Sequence, residues 1–391
     1  MMRLVTLECD MSDPVNGSAT IPAGTPVVVP QYAATHLAVQ CRDAGAPAPR
    51  VSRMGYYTRP FCGQNLSRRS LLAWRGAGIG DQLIVAGCLE QIKRLHRPCR
   101  LGLMCDPNVA RALYGGAENL PFEVVTEPVQ LQEWETWNYH WIVEGYCDGN
   151  HEPDQPDVWQ GHLQAIGMDF MVPGRARRVC VPESRRWTER AEAFLQVMRG
   201  PPEGGTTNLT GTVRHPFILW QLAASTPMRS LPPGLAAECL RQLVAACPES
   251  VIVLAGTEHE FEVYAEACDV AGIAGTTRGL KLQEVFALVR LASVVVAPDS
   301  CLGHVAARYE TPCVSYWCPF AASSRAATYG SHVTIEMKTD CSPCWAHEYG
   351  PVNLQRGCPL SETDATASRY CKGLAAIRPE TIVAMVKKEI G

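Results

Sequence analysis

No apolar run in this chain approaches the ~18–20 residues needed to cross a bilayer. The opening MMRLVTLECDMSD lacks the apolar stretch of a signal peptide. The cytoplasm is therefore the expected location. An excess of charge of one sign is missing too: 35 Lys and Arg against 39 Asp and Glu leave a net -4, which gives no electrostatic case for a nucleic-acid surface beyond a local basic groove. No internal repeat or low-complexity tract stands out. The glycine-rich stretch GAGIGDQL has no lysine. Gly76-Ala77-Gly78-Ile79-Gly80 runs into Asp81 and fits neither the P-loop nor G-x-G-x-x-G. An acid at that place repels phosphate, so this loop is read as something other than a nucleotide cradle.

What is present in quantity is cysteine, 18 in 391 residues. Most stand inside apolar segments (Cys88, Cys239, Cys247, Cys268, Cys313), where a reduced thiol behaves as a small hydrophobe. A disulfide framework is not expected in a chain of this size without a secretion signal. The last four differ. Cys341, Cys344, Cys358 and Cys371 are spaced C-x2-C-x13-C-x12-C, which suits a closed tetrahedral site for zinc or iron with a structural role. His347 is an alternative ligand.

Residues 1–65 are rich in Pro, Gly and Ala and read as a small β-appendage or a loosely ordered arm, with one strand at TPVVVP. From Ser70 the pattern alternates: strand SLLAWR, helix DQLIVAGCLEQIKRL, strand RLGLMC, helix PNVARALYG, strand FEVVTEP. After the polar stretch from Arg199 to Pro216 it resumes with strands FILWQL, SVIVLAG, SVVVAPD and PCVSYW between helices. The expected architecture is α/β, with two Rossmann-like domains whose parallel sheets face a central cleft. The expected division is an N-terminal extension at 1–65, a first Rossmann-like domain at 66–198 (the acceptor side on the resemblance given below) and a linker at 199–216. A second Rossmann-like domain, the one expected to bind the ligand (a sugar nucleotide on the resemblance given below), follows at 217–340, then a four-cysteine metal finger at 341–372 and a C-terminal helix at 373–391.

Several polar residues fall at the ends of strands, where such sheets bind ligands. Asp81 is either a helix cap or a general base that accepts a proton from an attacking hydroxyl. Gly78 and Gly80 let the backbone before it turn tightly. In PDSCLGH, Ser300 and Cys301 stand at a helix start whose free N–H groups favour a phosphate. Asp299 can accept from sugar hydroxyls, and His304 lies one turn into the helix. The turn AASTPMRSLPP carries Ser225, Thr226 and Arg229, the last an anion clamp or a solvated surface arginine. Glu258 and Glu260 open another helix, either as first-turn acids or, for Glu260, as a ligand for ribose hydroxyls.

Together these stretches resemble the heptosyltransferase-like glycosyltransferases of family 9, which have the GT-B fold. The resemblance runs from about Ser70 to Glu389. GIGDQLIVAGCLEQIKRL is similar to the family's opening strand, loop and helix, and AASTPMRSLP to its Ser/Thr-rich turn. LAGTEHE is similar to its Gly-x-x-x-Glu element, PDSCLGH to its Asp-Ser/Thr-Gly-x-x-His element, and the C-terminal cysteines to the finger of the bacterial autotransporter heptosyltransferases. The resemblance implies Asp81 as acceptor-activating base, with Gly78 and Gly80 in the acceptor loop. It implies Ser225, Thr226, Arg229 and the Ser300–Cys301 backbone around the diphosphate, Glu260 at the ribose, and Asp299 at the donor sugar with His304 nearby. Leu231 stands in place of the family's tryptophan, Cys301 of its glycine and Arg229 of its lysine.

The implied activity is inverting transfer of a sugar, a heptose or a relative, from a nucleotide-linked donor such as ADP-heptose to an acceptor hydroxyl, with no catalytic metal. The acceptor is a glycan, a lipopolysaccharide core, a protein or modified DNA. Two alternatives stay open at this level: a nucleotide-sugar epimerase or hydrolase of the same fold, and a non-catalytic nucleotide-binding interaction protein with a cysteine finger.

Overall fold

The structure is a computed structural model that describes residues 2–12, 20–54, 58–76, 78–143, 157–168, 171–174, 177–199, 215–344, 358 and 369–391. Most of the stretch from Arg199 to Pro216, the interior of the cysteine segment and His347 lie outside these residues. The chain divides into two compact units, one from residues 1–150 and 158–182, the other chiefly from 183–391.

The first unit holds two sheets. Its N-terminal sheet is antiparallel, in the order Arg50–Arg53, Met2–Thr6, Val27–Pro30, Val129–Gln130. The helix Gln31–Asp43 covers one face, burying Ala33, Ala34, Leu37 and Cys41 against Val5, Val27 and Val29. The other face contributes Met2 and Val28 to a core with Leu72, Trp74, Met104, Trp134 and Trp137. The opening residues are thus an ordered β-layer, and the strand expected at TPVVVP is Val27–Pro30.

The second sheet of this unit is parallel, in the order Tyr139–Ile142, Ser70–Trp74, Arg100–Cys105, Glu123–Thr126. All five residues of Ser70–Trp74 are buried, as continuous apolar runs in covered parallel sheets must be. The helix Ile79–His96 follows directly and buries ten residues from Gln82 to Ile92. Gly87 lets it approach the chain closely: a Cβ there would lie 2.3 Å from the Arg178 carbonyl oxygen and 2.6 Å from the Trp159 ring.

The second unit is built on a six-stranded parallel sheet. Its order is Gly275–Thr276, Val251–Ala255, Phe217–Gln221, Val294–Pro298, Cys313–Trp317, His332–Glu336. The chain starts in the middle of this sheet, winds outward on one side, returns, and winds outward on the other. The helix Arg185–Arg199 packs on Leu282–Leu291 of this unit, with Arg190 Nε 3.6 Å from Glu284 Oε1. Compactness therefore divides the chain ahead of that helix rather than behind it, because its apolar side finds its partner in the second sheet's layer. The C-terminal helix Pro379–Ile390 packs on Pro233–Ala246 over the same sheet, burying Ile382, Val383 and Val386. Among the described residues no helix is long and apolar enough to cross a membrane.

Candidate functional site

In an open parallel sheet the ligand crevice forms outside the carboxyl ends of the two strands between which the winding direction reverses. In the second unit those strands are Phe217–Gln221 and Val294–Pro298. The first ends on Gln221 and the second runs into Asp299 and Ser300. Gln221 Nε2 donates to Ser300 Oγ (2.8 Å) and to the Ala223 carbonyl (3.0 Å), tying the two strand ends together.

Beyond Gln221 the chain makes the turn that carries Arg229. Ser230 Oγ donates to the Thr226 carbonyl (2.9 Å) and accepts from Ala224 N (2.9 Å), which fixes the turn from inside. Leu231, at the place of the family's tryptophan, is fully buried, and its carbonyl accepts from Tyr264 OH at 2.6 Å. Arg229 is 8% exposed and so is not a solvated surface arginine. Its Nη1 donates to the Asp299 carbonyl (2.9 Å) and stands 3.4 Å from Asp299 Oδ2, while its Nη2 donates to Ser225 Oγ.

Asp299 is 3% exposed. Burial alone would raise its carboxyl, but Arg325, then Arg229 and His304, outweigh it and hold the group below its ordinary range. Four buried polar atoms of this corner have no hydrogen-bond partner among the described residues: Gln221 Oε1, Thr226 Oγ1, Arg229 Nε and Asp299 Oδ1. Orphaned groups of this kind cost about 1–3 kcal/mol each unless a ligand or water satisfies them. Their concentration makes this corner the candidate site for a polar ligand.

The helix Cys301–Tyr309 begins at the same corner, with Ser300 at its N-cap making no side-chain capping bond. Its first N–H groups are therefore not taken by the cap. Burial pushes the Cys301 thiol up to about 11, so a neutral sulfur stands at this helix start. His304 is buried and shares a 2.7 Å hydrogen bond with Tyr329 OH. Glu260 closes a capping box on its own helix: Thr257 N donates to Glu260 Oε2 (2.6 Å) and Glu260 N to Thr257 Oγ1 (3.3 Å). Glu258 pairs with Arg278 at the surface.

The first unit repeats the logic. The winding reverses between Ser70–Trp74 and Tyr139–Ile142, and Arg75, directly after the first of these, is 5% exposed. Its Nη1 donates to the Val143 carbonyl (3.2 Å) beyond the neighbouring strand, and its Nη2 stands 3.3 Å from Asp81 Oδ2. Asp81 is the third residue of the helix, behind an N-cap at Gly78 and a second position at Gly80. It is therefore not the N-cap itself, and its side chain keeps 30% exposure. A Cβ on Gly78 would lie 3.2 Å from Asp81 Oδ2, so the glycine makes room for the carboxylate.

Of the four finger cysteines, Cys358 and Cys371 are buried and Cys341 and Cys344 half-buried. No group of three or more Cys, His, Asp or Glu among the described residues is placed to hold a metal ion. Cys371 instead meets Cys318, which belongs to the same core cluster as Cys358 and Cys371. A hydrogen bond with Cys371, and weaker ones with Ser342 and Thr339, draw the Cys318 thiol below its ordinary value. Gln221, Arg75, Arg325 and Cys318 escaped the sequence reading. For the first two a signal existed, a long polar side chain directly at the end of a buried apolar strand. Arg325 and Cys318 carry none.

Residues 204–349 match the family model of Glycosyltransferase family 9 (heptosyltransferase). No curated protein matches the chain. Among solved structures, the E. coli ADP-heptose lps heptosyltransferase II superposes with a TM-score of 0.55 at 13% identity, covering 82% of this chain and 98% of that one. A glycosyl transferase family 9 structure from Veillonella parvula gives 0.58 at 10%, covering 84% and 99%. The iron-containing dodecameric heptosyltransferase TibC of enterotoxigenic E. coli, in complex with ADP-D-beta-D-heptose, gives 0.50 at 14%, covering 100% and 91%. At these identities the solved structures speak for the fold, and the family model speaks for the domain. The chain has the fold of the heptosyltransferase structures, and its residues 204–349 are similar to glycosyltransferase family 9 (heptosyltransferase), which supports a glycosyltransferase activity.

Proposed function

We propose that this glycosyltransferase moves a heptose or a related sugar from an ADP-linked donor to an acceptor hydroxyl, inverting the anomeric centre. The observation that carries the donor half of this reading is the corner at the strand reversal. There Asp299 stands between two arginines beside a helix N-terminus, and four buried polar atoms, its own Oδ1 among them, have no partner among the described residues. A diphosphate fits the arginine and the helix start, and a sugar hydroxyl fits a carboxylate oxygen that has no partner among the described residues. Ser225, Thr226, Arg229, Ser300 and Cys301 form the diphosphate side in this reading, Asp299 the sugar side with His304 behind it, and Glu260 the ribose side once its capping bond is shared or released.

In the reaction Asp81 takes the proton of the acceptor hydroxyl as its oxygen bonds to the anomeric carbon. The bond from that carbon to the diphosphate oxygen breaks, and the electron pair leaves with the nucleoside diphosphate. Arg229 and the helix N-terminus stabilise the charge that develops there. No step calls for a metal.

The cysteine segment belongs to the same proposal as a structural zinc or iron site at Cys341, Cys344, Cys358 and Cys371. Its support is the thiol spacing and the burial of Cys358 and Cys371 in one core cluster. The acceptor is a glycan, a lipopolysaccharide core or a protein, and the cytoplasm is the proposed compartment. The absence of disulfides among the described cysteines supports that placement.

The test is calorimetric titration with ADP-, UDP-, GDP- and CMP-linked sugars, for the wild-type chain and for Arg229→Ala. Selective binding of the ADP-linked sugar, weakened at least tenfold by the substitution, is the expected result. Absence of binding to any of them rejects the reading.

A further inference from the structure

Arg325 belongs to none of the motifs that pointed to the donor corner, yet its Nη1 stands 3.3 Å from Asp299 Oδ2. It lies on the short helix Ser323–Ala326, beyond the end of the strand Cys313–Trp317. That segment is held in place: Ala322 N donates to Glu336 Oε1 (3.3 Å), and Ser324 Oγ donates to the Ala321 carbonyl (2.6 Å). The guanidinium lies over the Phe320 ring at 4.2 Å, and its side chain is 16% exposed.

The consequence falls on Asp299. A carboxylate oxygen offers two lone-pair directions, and Oδ2 faces two guanidiniums, Arg229 at 3.4 Å and Arg325 at 3.3 Å. Its twin Oδ1 is buried and has no partner among the described residues. With Arg229 alone on Oδ2, a half-turn about the Cβ–Cγ bond of Asp299 would offer the same guanidinium the other oxygen. Arg229 reaches from the turn after one strand and Arg325 from beyond the next strand but one, so together they pin one oxygen from separate elements. The other then points in one direction only.

We propose that Arg325 is a positioning residue for donor-sugar recognition. It locks Oδ2 of Asp299 so that Oδ1 is presented, already desolvated, to a hydroxyl of the transferred sugar. This rests on the donor reading above and adds to it a division of labour. Arg229 serves the diphosphate as well as Asp299, whereas Arg325 serves the sugar through Asp299.

The experiment titrates the full-length chain with ADP-heptose and, separately, with ADP, for wild type, Arg325→Gln and Arg325→Lys, each first checked for a cooperative melt. Wild type is expected to bind ADP-heptose tighter than ADP. Arg325→Gln is expected to weaken ADP-heptose about tenfold while ADP stays within twofold, and Arg325→Lys to recover part of the loss. Should Arg325→Gln fail to fold, the same split between the two ligands is read from Arg325→Lys. Equal weakening of both ligands would make Arg325 a phosphate contact and overturn the proposal. A preference for ADP-heptose that Arg325→Gln leaves unchanged, with wild type binding as expected, overturns the proposal alone and leaves the donor reading standing. Failure of wild type to bind either ligand removes the ADP-heptose reading and the inference with it.

Discussion

Gln221 and Ser300, 79 residues apart, are joined by a 2.8 Å hydrogen bond from the Gln221 amide to the Ser300 hydroxyl. The bond spans the two strand ends between which the second sheet reverses its winding. It holds the side chain of the N-cap residue away from the helix it opens, consistent with the absence of a capping bond from Ser300.

Gln221→Leu is predicted to remove that tie and an acceptor atom that faces no protein partner among the described residues. Donor affinity should fall about tenfold, the equivalent of one well-placed hydrogen bond, with a loss of global stability of about 1 kcal/mol. Titration and chemical denaturation measure the two separately. An unchanged donor affinity would place Gln221 outside the binding site.

Asp81→Asn keeps the shape of the side chain but cannot accept a proton. Transfer to an acceptor should fall by a factor of about 10²–10⁴, with donor affinity within twofold of wild type. Parallel loss of donor binding would show that Asp81 acts on the fold rather than on the acceptor.

His140 and His332 are each pushed by burial from 6.5 down to about 4. The unfolded chain therefore takes up these protons first as pH falls. Their contribution is complete above pH 6.5 and is lost between 6.5 and about 4. By pH 5 each should have cost its own unit roughly 2 kcal/mol. Melting curves between pH 7.5 and 5 should show a steady fall, less steep in His332→Asn. A flat profile over that window would contradict the buried neutral state of these rings.

Gly87→Ala should destabilise the first unit by about 2 kcal/mol or more, since the added methyl meets the Arg178 carbonyl and the Trp159 ring. Because the same helix carries Asp81, any residual activity should fall with it. Denaturation monitored by tryptophan fluorescence reads the effect. A neutral substitution would mean that the helix does not pack as closely as described.

Protein purified under reducing conditions without chelators should contain about one zinc or iron per chain, with less than half of that in Cys344→Ser. Elemental analysis decides it. A metal-free wild-type protein would leave the four thiols as packing residues.

The alternation of strands and helices was legible because burial leaves a local trace. Strands covered on both faces must be apolar throughout, and Ser70–Trp74, Phe217–Gln221 and Val294–Pro298 are buried along their whole length. The positions of Asp81, Arg229, Asp299 and Ser300 at strand ends and helix starts were legible for the same reason. Of the opening 65 residues only the strand at TPVVVP was. Their core depends on the short strand Val129–Gln130, which returns to complete the sheet from far along the chain, and no local pattern announces such a pairing.

Local patterning along the chain specifies the class of fold, the residues at the strand ends and the family-like motifs of the second half. Which strand ends become neighbours, and with them the partners of each polar side chain, is set by the three-dimensional packing. Arg75 reaches Val143, Gln221 reaches Ser300, and Arg325 reaches Asp299. Local periodicity reports whether a residue is covered. What covers it follows from strand order, which is settled by contacts between residues distant in the chain.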